Sequence, residues 1–129
     1  MRRDMDLIRA LLLRFEKLHQ TIGTILFELD DKDLQFEGYD PLVVAAHIRL
    51  MAEGRLIDAK VTGQGATMLN AITWAGHDFL DSVRDDRIWA KTKEGLNQAG
   101  GFTLDLAKAL AKGLLKKQLE NLTGVSIDI

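Results

Sequence analysis

The sequence predicts an α+β fold, in which helices and one small antiparallel β-hairpin form a domain with a helical extension. Three observations predict it. Asp40-Pro41 begins a helix, because Asp is a favoured N-cap and Pro a favoured first helical residue, and Gly54 stops that helix. Two β-prone runs then flank the glycine-rich turn TGQGAT, which indicates a hairpin. Thr73 caps a further helix directly afterwards. This order of elements is the layout of a winged helix.

The first helix begins at Asp4 or Asp6, either of which can act as the N-cap, and continues to about His19 or Gln20. Its apolar residues recur at helical spacing and predict one apolar stripe, made of Ile8, Leu11, Leu12, Phe15, Leu18 and Ile22. Residues 25–29 (ILFEL) are β-prone and lie between a glycine and an acidic turn, so they predict a short strand.

The middle of the chain supplies the hairpin. The helix over 42–53 is followed by a strand over 56–61, a reversal over 62–67 and a partner strand over 68–72. The next helix begins at Trp74. Gly54 ends the helix over 42–53, so that the apolar residues Leu56 and Ile57 return to the core at once as the start of the first strand of the hairpin.

A C-terminal helical extension over 85–129 follows the winged-helix-like domain predicted for residues 1–84. It contains one helix over about 86–96 and a last helix from the Thr103 cap to about Asn121. The final six residues, GVSIDI, alternate and indicate either a short strand or an exposed apolar end.

Composition bounds the function. The chain has 129 residues, of which 47% are hydrophobic and 28% charged, as in an ordinary globular domain. It contains no cysteine, which excludes disulfides, iron–sulfur clusters, zinc fingers and thiol catalysis. The apolar run ALLL is interrupted by Arg14 and Glu16, so it is too short for a signal peptide or a membrane span. We therefore expect a cytoplasmic protein without membrane contact.

Charge is distributed unevenly. The net charge is −2, but residues 28–40 contain six acidic residues and one lysine and carry −5, so the remainder carries +3. The acidic segment lacks the spacing of a calcium-binding loop, and we interpret it as a solvated loop. A local basic face elsewhere is compatible with nucleic-acid binding, although the total charge does not favour it.

Three segments carry a family resemblance: MRRDMDLIR, AAHIRLMAEGRLIDAKV and ITWAGHDFLDSVRDDRIWAKTK. Together they resemble a bacterial and prophage family of small uncharacterised proteins, domain of unknown function 2513. The resemblance covers most of the chain. It implies a winged-helix-like core and, by analogy with other such folds, transcription regulation or partner binding.

The predicted function follows from that fold: binding of double-stranded DNA, with the helix over 42–53 as recognition helix. The candidate DNA contacts are Arg49, His47, Arg55, Lys60, Arg2 and Arg3. Two features oppose this interpretation. The wing tip TGQGAT carries no Lys or Arg for the phosphate backbone, and the acidic segment leaves room for at most a short helix before the recognition helix.

The alternative is a non-enzymatic protein-interaction module that does not bind DNA. The last helix has a broad apolar face opposite a row of lysines, Lys108, Lys112 and Lys116, and such a face needs cover. We expect a homodimer formed through the first and last helices.

No pattern in the sequence indicates an enzyme, a cofactor or a metal site. Ser82 and Ser126 do not lie in a nucleophile elbow, and no phosphate-binding glycine loop is present. His47 and His77 would form a metal site only if the fold brought them together, and each is more simply explained as a structural histidine. We therefore expect a protein that is not an enzyme.

Overall fold

The computed structural model describes residues 1–128, and within them it contains five α-helices and one three-stranded antiparallel sheet. The helices are α1 (Met5–Leu18), α2 (Pro41–Glu53), α3 (Trp74–Val83), α4 (Asp86–Ala99) and α5 (Leu104–Thr123). The strands are β1 (Ile25–Phe27), β2 (Ile57–Val61) and β3 (Thr67–Ile72). A single 3-10 turn, Lys32–Leu34, lies between β1 and α2. The predicted α+β class is confirmed.

The predicted helix starts are confirmed by their caps. Asp4 accepts a hydrogen bond from the Leu7 N–H at 3.1 Å, and Asp40 accepts one from the Leu42 N–H at 2.7 Å. Each carboxylate satisfies an N–H group that has no partner inside its helix. Thr103 caps α5 in the same way.

The hairpin predicted between residues 56 and 73 is confirmed, because β2 pairs antiparallel with β3. β1 pairs with the other side of β3, which gives the strand order β1-β3-β2. β1 ends at Phe27, two residues earlier than predicted, because the chain turns at residues 29 and 30 and enters the acidic segment.

One face of the sheet is buried and the other is exposed. Phe27, Ile57 and Leu69 are 3% exposed or less, whereas Leu26 and Met68 are 68% and 41% exposed. α1 packs against α2 and β3, and Phe15 of α1 lies against Phe27 with ring centroids 6.1 Å apart. The apolar stripe predicted for α1 is therefore buried from Ile8 to Phe15, whereas Leu18 is half-buried and Ile22 lies beyond the helix and is exposed.

Arg14 ties the acidic segment to α1. Its Nη1 donates a hydrogen bond to the Asp33 carbonyl oxygen at 2.7 Å, and its guanidinium lies 4.6 Å from the centre of the Phe36 ring. The contact with an aromatic face adds a cation–π attraction. This arginine therefore positions a loop.

The chain divides into two compact units, Met1–Leu80 and the residues from Asp81 onward. In the second unit α4 packs against α5, and a Cβ at Gly95 would lie 3.0 Å from Leu110, so the two helices approach closely there. α4 extends to Ala99, three residues beyond its predicted end, and Gly100 stops it in the left-handed conformation. Residues 124–128 form no strand, and Ile129 lies outside the described residues. Across residues 1–128 no helix combines the length and hydropathy that crossing a bilayer requires.

Candidate nucleic-acid interface

α2 has one exposed face beside the β2–β3 hairpin, and the turn of that hairpin (residues 62–66) is the segment that the sequence predicted as a wing and keeps that name below. Leu42, Ala46, Arg49 and Glu53 follow one another at spacings of four, three and four residues, and so share one side of the helix. Leu42 is 62% exposed. The opposite side of α2 is buried and consists of Val44, Ala45, His47, Ile48 and Met51. The exposed face combines an apolar side chain with one cation and one anion.

Arg49 connects α2 to the wing. Its Nη2 donates a hydrogen bond to the Thr62 carbonyl oxygen at 3.4 Å. Thr62 also closes the wing turn, since its N–H donates to the Ala66 carbonyl at 2.8 Å and its hydroxyl accepts from the Ala66 N–H at 3.1 Å. Gly65 has a φ of 89°, which suits glycine in this turn. The wing is therefore a closed turn whose base lies within reach of the exposed cation of α2.

His47 is fully buried and hydrogen-bonded at both ring nitrogens. Nε2 accepts from the Asp4 N–H at 2.9 Å, and Nδ1 is 2.8 Å from the Val43 carbonyl oxygen. Because an N–H can only donate and a carbonyl can only accept, the ring is the neutral tautomer with its proton on Nδ1. The side chain is not available to contact DNA, contrary to its place among the candidate contacts.

Asp4 is the centre of a small hydrogen-bond network beside the N-terminal half of α2. One oxygen of its carboxylate caps α1, and the other accepts a hydrogen bond from the Tyr39 hydroxyl at 2.7 Å. The bond to the Asp4 carboxylate, with burial and the negative charge of Asp4 and Asp6, raises the pKa of Tyr39 to about 12. The network fixes Asp4 beside His47, and Arg2 and Arg3 precede it as exposed residues outside any helix or strand, which we call the arginine arm.

The other end of α2 is held by close backbone contact. Arg55 has a φ of 61°, in the left-handed region, and its carbonyl oxygen accepts a hydrogen bond from the Thr73 hydroxyl at 2.6 Å. The same hydroxyl accepts from the Gly76 N–H at 3.0 Å, while the Leu56 carbonyl accepts from the Thr73 N–H at 3.1 Å. A Cβ at Gly76 would overlap the Leu56 carbonyl oxygen. Residues 54–57 and 72–76 thus form one junction.

The remaining candidates occupy different places. Arg55 is exposed at the end of α2. Lys60 lies opposite Met68 in the sheet, and Met68 lies opposite Leu26, so all three share the exposed face of the sheet. Arg49 therefore lies on the exposed face of α2, Arg2 and Arg3 precede Asp4 on the side of α2 that carries His47, and Lys60 lies on the exposed face of the sheet.

His47 and His77 would form a metal site only if the fold brought them together, and they lie in different surroundings. His47 is in the interior, while His77 is exposed on α3 and lines an open pocket with His19. Within the part of the chain that the structure describes, no cluster of three or more His, Cys, Asp or Glu side chains could hold a metal ion.

Comparison with known proteins places the chain in a family. It is 28% identical over 123 residues to an "Uncharacterized protein" of Haemophilus influenzae (strain ATCC 51907 / DSM 11121 / KW20 / Rd), covering 92% of this chain and 99% of that protein. No solved structure matches the chain. The family described as "Hypothetical protein (DUF2513)" matches residues 2–102, which span α1 to α4 and the whole sheet, and the chain belongs to this family.

Proposed function

We propose that residues 1–80 form a winged-helix-like domain that binds double-stranded DNA, with α2 as the recognition helix, in a transcription-associated role. The element order supports this proposal: α1, β1, a short helical turn, α2, then the β2–β3 hairpin, with strand order β1-β3-β2. In this arrangement one face of α2, which carries Arg49, is exposed beside the closed turn of the β2–β3 hairpin. This exposed face is the observation that carries the proposal.

The residues divide by role. Arg49 is the one cation on the exposed face of α2 and is the candidate for a base or phosphate contact. Arg2 and Arg3 act as an arm that contacts phosphates or the minor groove beside α2, as basic arms of other DNA-binding domains do. Arg55 adds a phosphate contact at the end of the helix.

Salt dependence tests the proposal. Each phosphate contact contributes a slope of about −0.9 to the dependence of log affinity on log salt, so the four proposed contacts weaken binding roughly 150-fold between 50 and 200 mM salt. Fluorescence anisotropy with a labelled duplex of mixed sequence measures this. Arg49→Ala reduces the slope by about one, and Arg2→Ala with Arg3→Ala by about two.

Lys91→Ala is the matched control, because it removes one exposed cation from α4 in the second compact unit. It is expected to leave the slope unchanged. Absence of binding at 50 mM salt, or equal effects of Lys91→Ala and Arg49→Ala, would refute the DNA-binding proposal.

A second candidate function is self-association through α5, as a non-enzymatic interaction module. Of the described residues of α5 only Ala107 and Ala111 are buried, whereas Leu119 and Leu122 are 48% and 76% exposed. The sequence predicted a homodimer formed through the first and last helices. Because the apolar stripe of α1 is buried in the domain, only α5 of these two helices offers an exposed apolar face for this self-association. Sedimentation equilibrium of the wild type and of Leu119→Asp with Leu122→Asp tests it. A homodimer that dissociates in the double variant supports the candidate, and a monomeric wild type rejects it.

A further inference from the structure

A concave surface lies in the first compact unit, and we call it the β3 pocket. It is formed by the turn 19–22 after α1, by residues 70–72 of β3 and by His77 of α3. Its volume is about 810 Å³, within the range of pockets that hold small organic molecules, and it is open to solvent. None of the candidate DNA contacts lines it.

A β-bulge shapes one wall. Asp58 pairs with Ala71 and Ala59 pairs with Leu69, so Asn70 is an extra residue in β3. The side-chain oxygen of Asn70 accepts a hydrogen bond from the Thr24 hydroxyl at 2.6 Å, which fixes the amide and leaves its NH₂ group as a donor. Bulges commonly re-aim side chains next to binding sites.

The polar lining is rich in donors and contains no anion. His77 is exposed on α3, and Asn70 presents its amide from the bulge. His19 donates from Nε2 to the Gly23 carbonyl oxygen, so its position is fixed. Among the lining residues that the structure describes, none is an Asp or Glu. A cation would therefore find no counter-charge here, whereas an anionic group would find donors.

Besides the polar Gln20 and Thr21, the rest of the lining consists of three apolar residues. Ile22 is fully exposed at the rim, although its place in the helical pattern of the sequence predicted a continuation of the α1 stripe. Ala71 and Ile72 lie across from it on β3. An isoleucine left wholly in solvent at the edge of a cavity gains contact with any apolar group that enters.

We propose that the β3 pocket binds a small organic anion, whose apolar body contacts Ile22 and Ala71 and whose charged group accepts hydrogen bonds from His77 and Asn70. The chemical class is a carboxylate or sulfonate on an aromatic or aliphatic body. This proposal is independent of DNA binding, since it uses other residues and its test contains no nucleic acid.

The probe is 1-anilinonaphthalene-8-sulfonate, an apolar fluorophore with one sulfonate, titrated into the full chain at neutral pH. We expect a saturable rise in fluorescence with one site per chain. Ile22→Asp places a carboxylate at the rim without altering the interior, and it is expected to weaken binding at least tenfold. Leu42→Asp, the same kind of change at another exposed apolar residue, is the matched control and is expected to bind as the wild type does.

His77→Ala separates the anionic part of the proposal from the apolar part. It is expected to weaken binding of the sulfonate probe several-fold and to leave binding of the uncharged dye Nile red unchanged. Equal losses for both dyes would overturn the assignment of an anion. No saturable binding by the wild type, or equal effects of Ile22→Asp and Leu42→Asp, would overturn the pocket itself.

Discussion

The N-terminal half of α2 and its C-terminal end are held in place by different kinds of contact. Along the N-terminal half, as far as His47, side chains make the contacts, through the hydrogen-bond network of Asp4, Tyr39 and His47. At the C-terminal end, backbone lies directly against backbone where Gly76 meets Leu56. Side-chain networks can be weakened in steps, one hydrogen bond at a time, whereas a close backbone approach tolerates no added atom. The proposed recognition helix is thus held on one side by hydrogen bonds that can be removed one at a time, and on the other by a close backbone contact that cannot be weakened gradually.

Gly76→Ala is expected to give the largest effect. The new methyl group would overlap the Leu56 carbonyl oxygen and would approach Ile72 Cγ2 to 2.8 Å, and neither the strand nor the helix can shift without losing other contacts. We expect a loss of unfolding free energy of about 3 kcal/mol or more, measured by urea denaturation.

Gly113→Ala is the matched control for this prediction. It lies inside α5 with no atom within 4 Å of an added Cβ, so the substitution is expected to gain about 1 kcal/mol from helix propensity. If Gly76→Ala, like Gly113→Ala, does not lower the unfolding free energy, the junction at the end of α2 is not rigid.

Substitutions of His47 test the side-chain network along the N-terminal half of α2. His47→Leu keeps much of the buried volume but leaves the Asp4 N–H without its acceptor, while the Val43 carbonyl keeps only its bond within α2, and we expect a cost of about 1–3 kcal/mol. His47→Gln retains an acceptor for the Asp4 N–H and is expected to cost about half as much. Equal losses would show that volume, and not hydrogen bonding, holds this part of α2. Nitrogen NMR of the wild type is expected to show the neutral ring with its proton on Nδ1.

Tyr39 is expected to make the unfolding free energy depend on pH in the alkaline range. Its pKa rises from 10.0 to about 12 in the folded chain, mainly through the bond to Asp4, so the folded state holds the phenol proton more tightly than the unfolded state. The stability it contributes is complete below pH 10 and is lost as the pH rises to about 12. Because Tyr39 is partly exposed, solvent screening limits this contribution to roughly 1 kcal/mol.

The measurement for Tyr39 is unusually direct. It is the single tyrosine of the chain, so the rise in phenolate absorbance near 295 nm (roughly the phenolate maximum) reports on this residue alone. Tyr39→Phe should remove the excess loss of stability between pH 10 and 12. A midpoint near 10 in the folded protein would mean that the bond to Asp4 does not form.

The sequence predicted the helices and the hairpin around α2, but not the tertiary contacts that hold them. Asp4, Asp40 and Thr73 were recognisable as caps because capping depends on neighbours within three residues. The hairpin followed from the glycine-rich turn, and a helix–glycine–strand pattern placed α2 before it. These signals are local, which is why they could be read without the fold.

What the sequence did not predict depends on residues far apart in the chain. His47 was interpreted as a candidate DNA contact because helical spacing alone placed it at the edge of the apolar face, and its partner Asp4 lies 43 residues away. The helix stop before Leu56 and the Thr73 cap were predicted, but not that Leu56 packs against Gly76. The pairing of His19 with His77 in the β3 pocket left no signal in the spacing of either residue.

Arg55 gives the smallest expected effect and sharpens the comparison at the C-terminal end of α2. A non-glycine residue at a φ of 61° carries a steric cost of about 1 kcal/mol that glycine does not. Arg55→Gly is therefore expected to raise the unfolding free energy by about 0.5 kcal/mol, after allowing for the greater freedom of glycine in the unfolded chain. Arg55→Ala removes the same charge and keeps the strain, so it separates the two effects. If both variants have equal stability in urea denaturation, the junction does not impose this backbone conformation, and the fixed position of the Leu56 carbonyl against α3 must come from Gly76 and Thr73 alone.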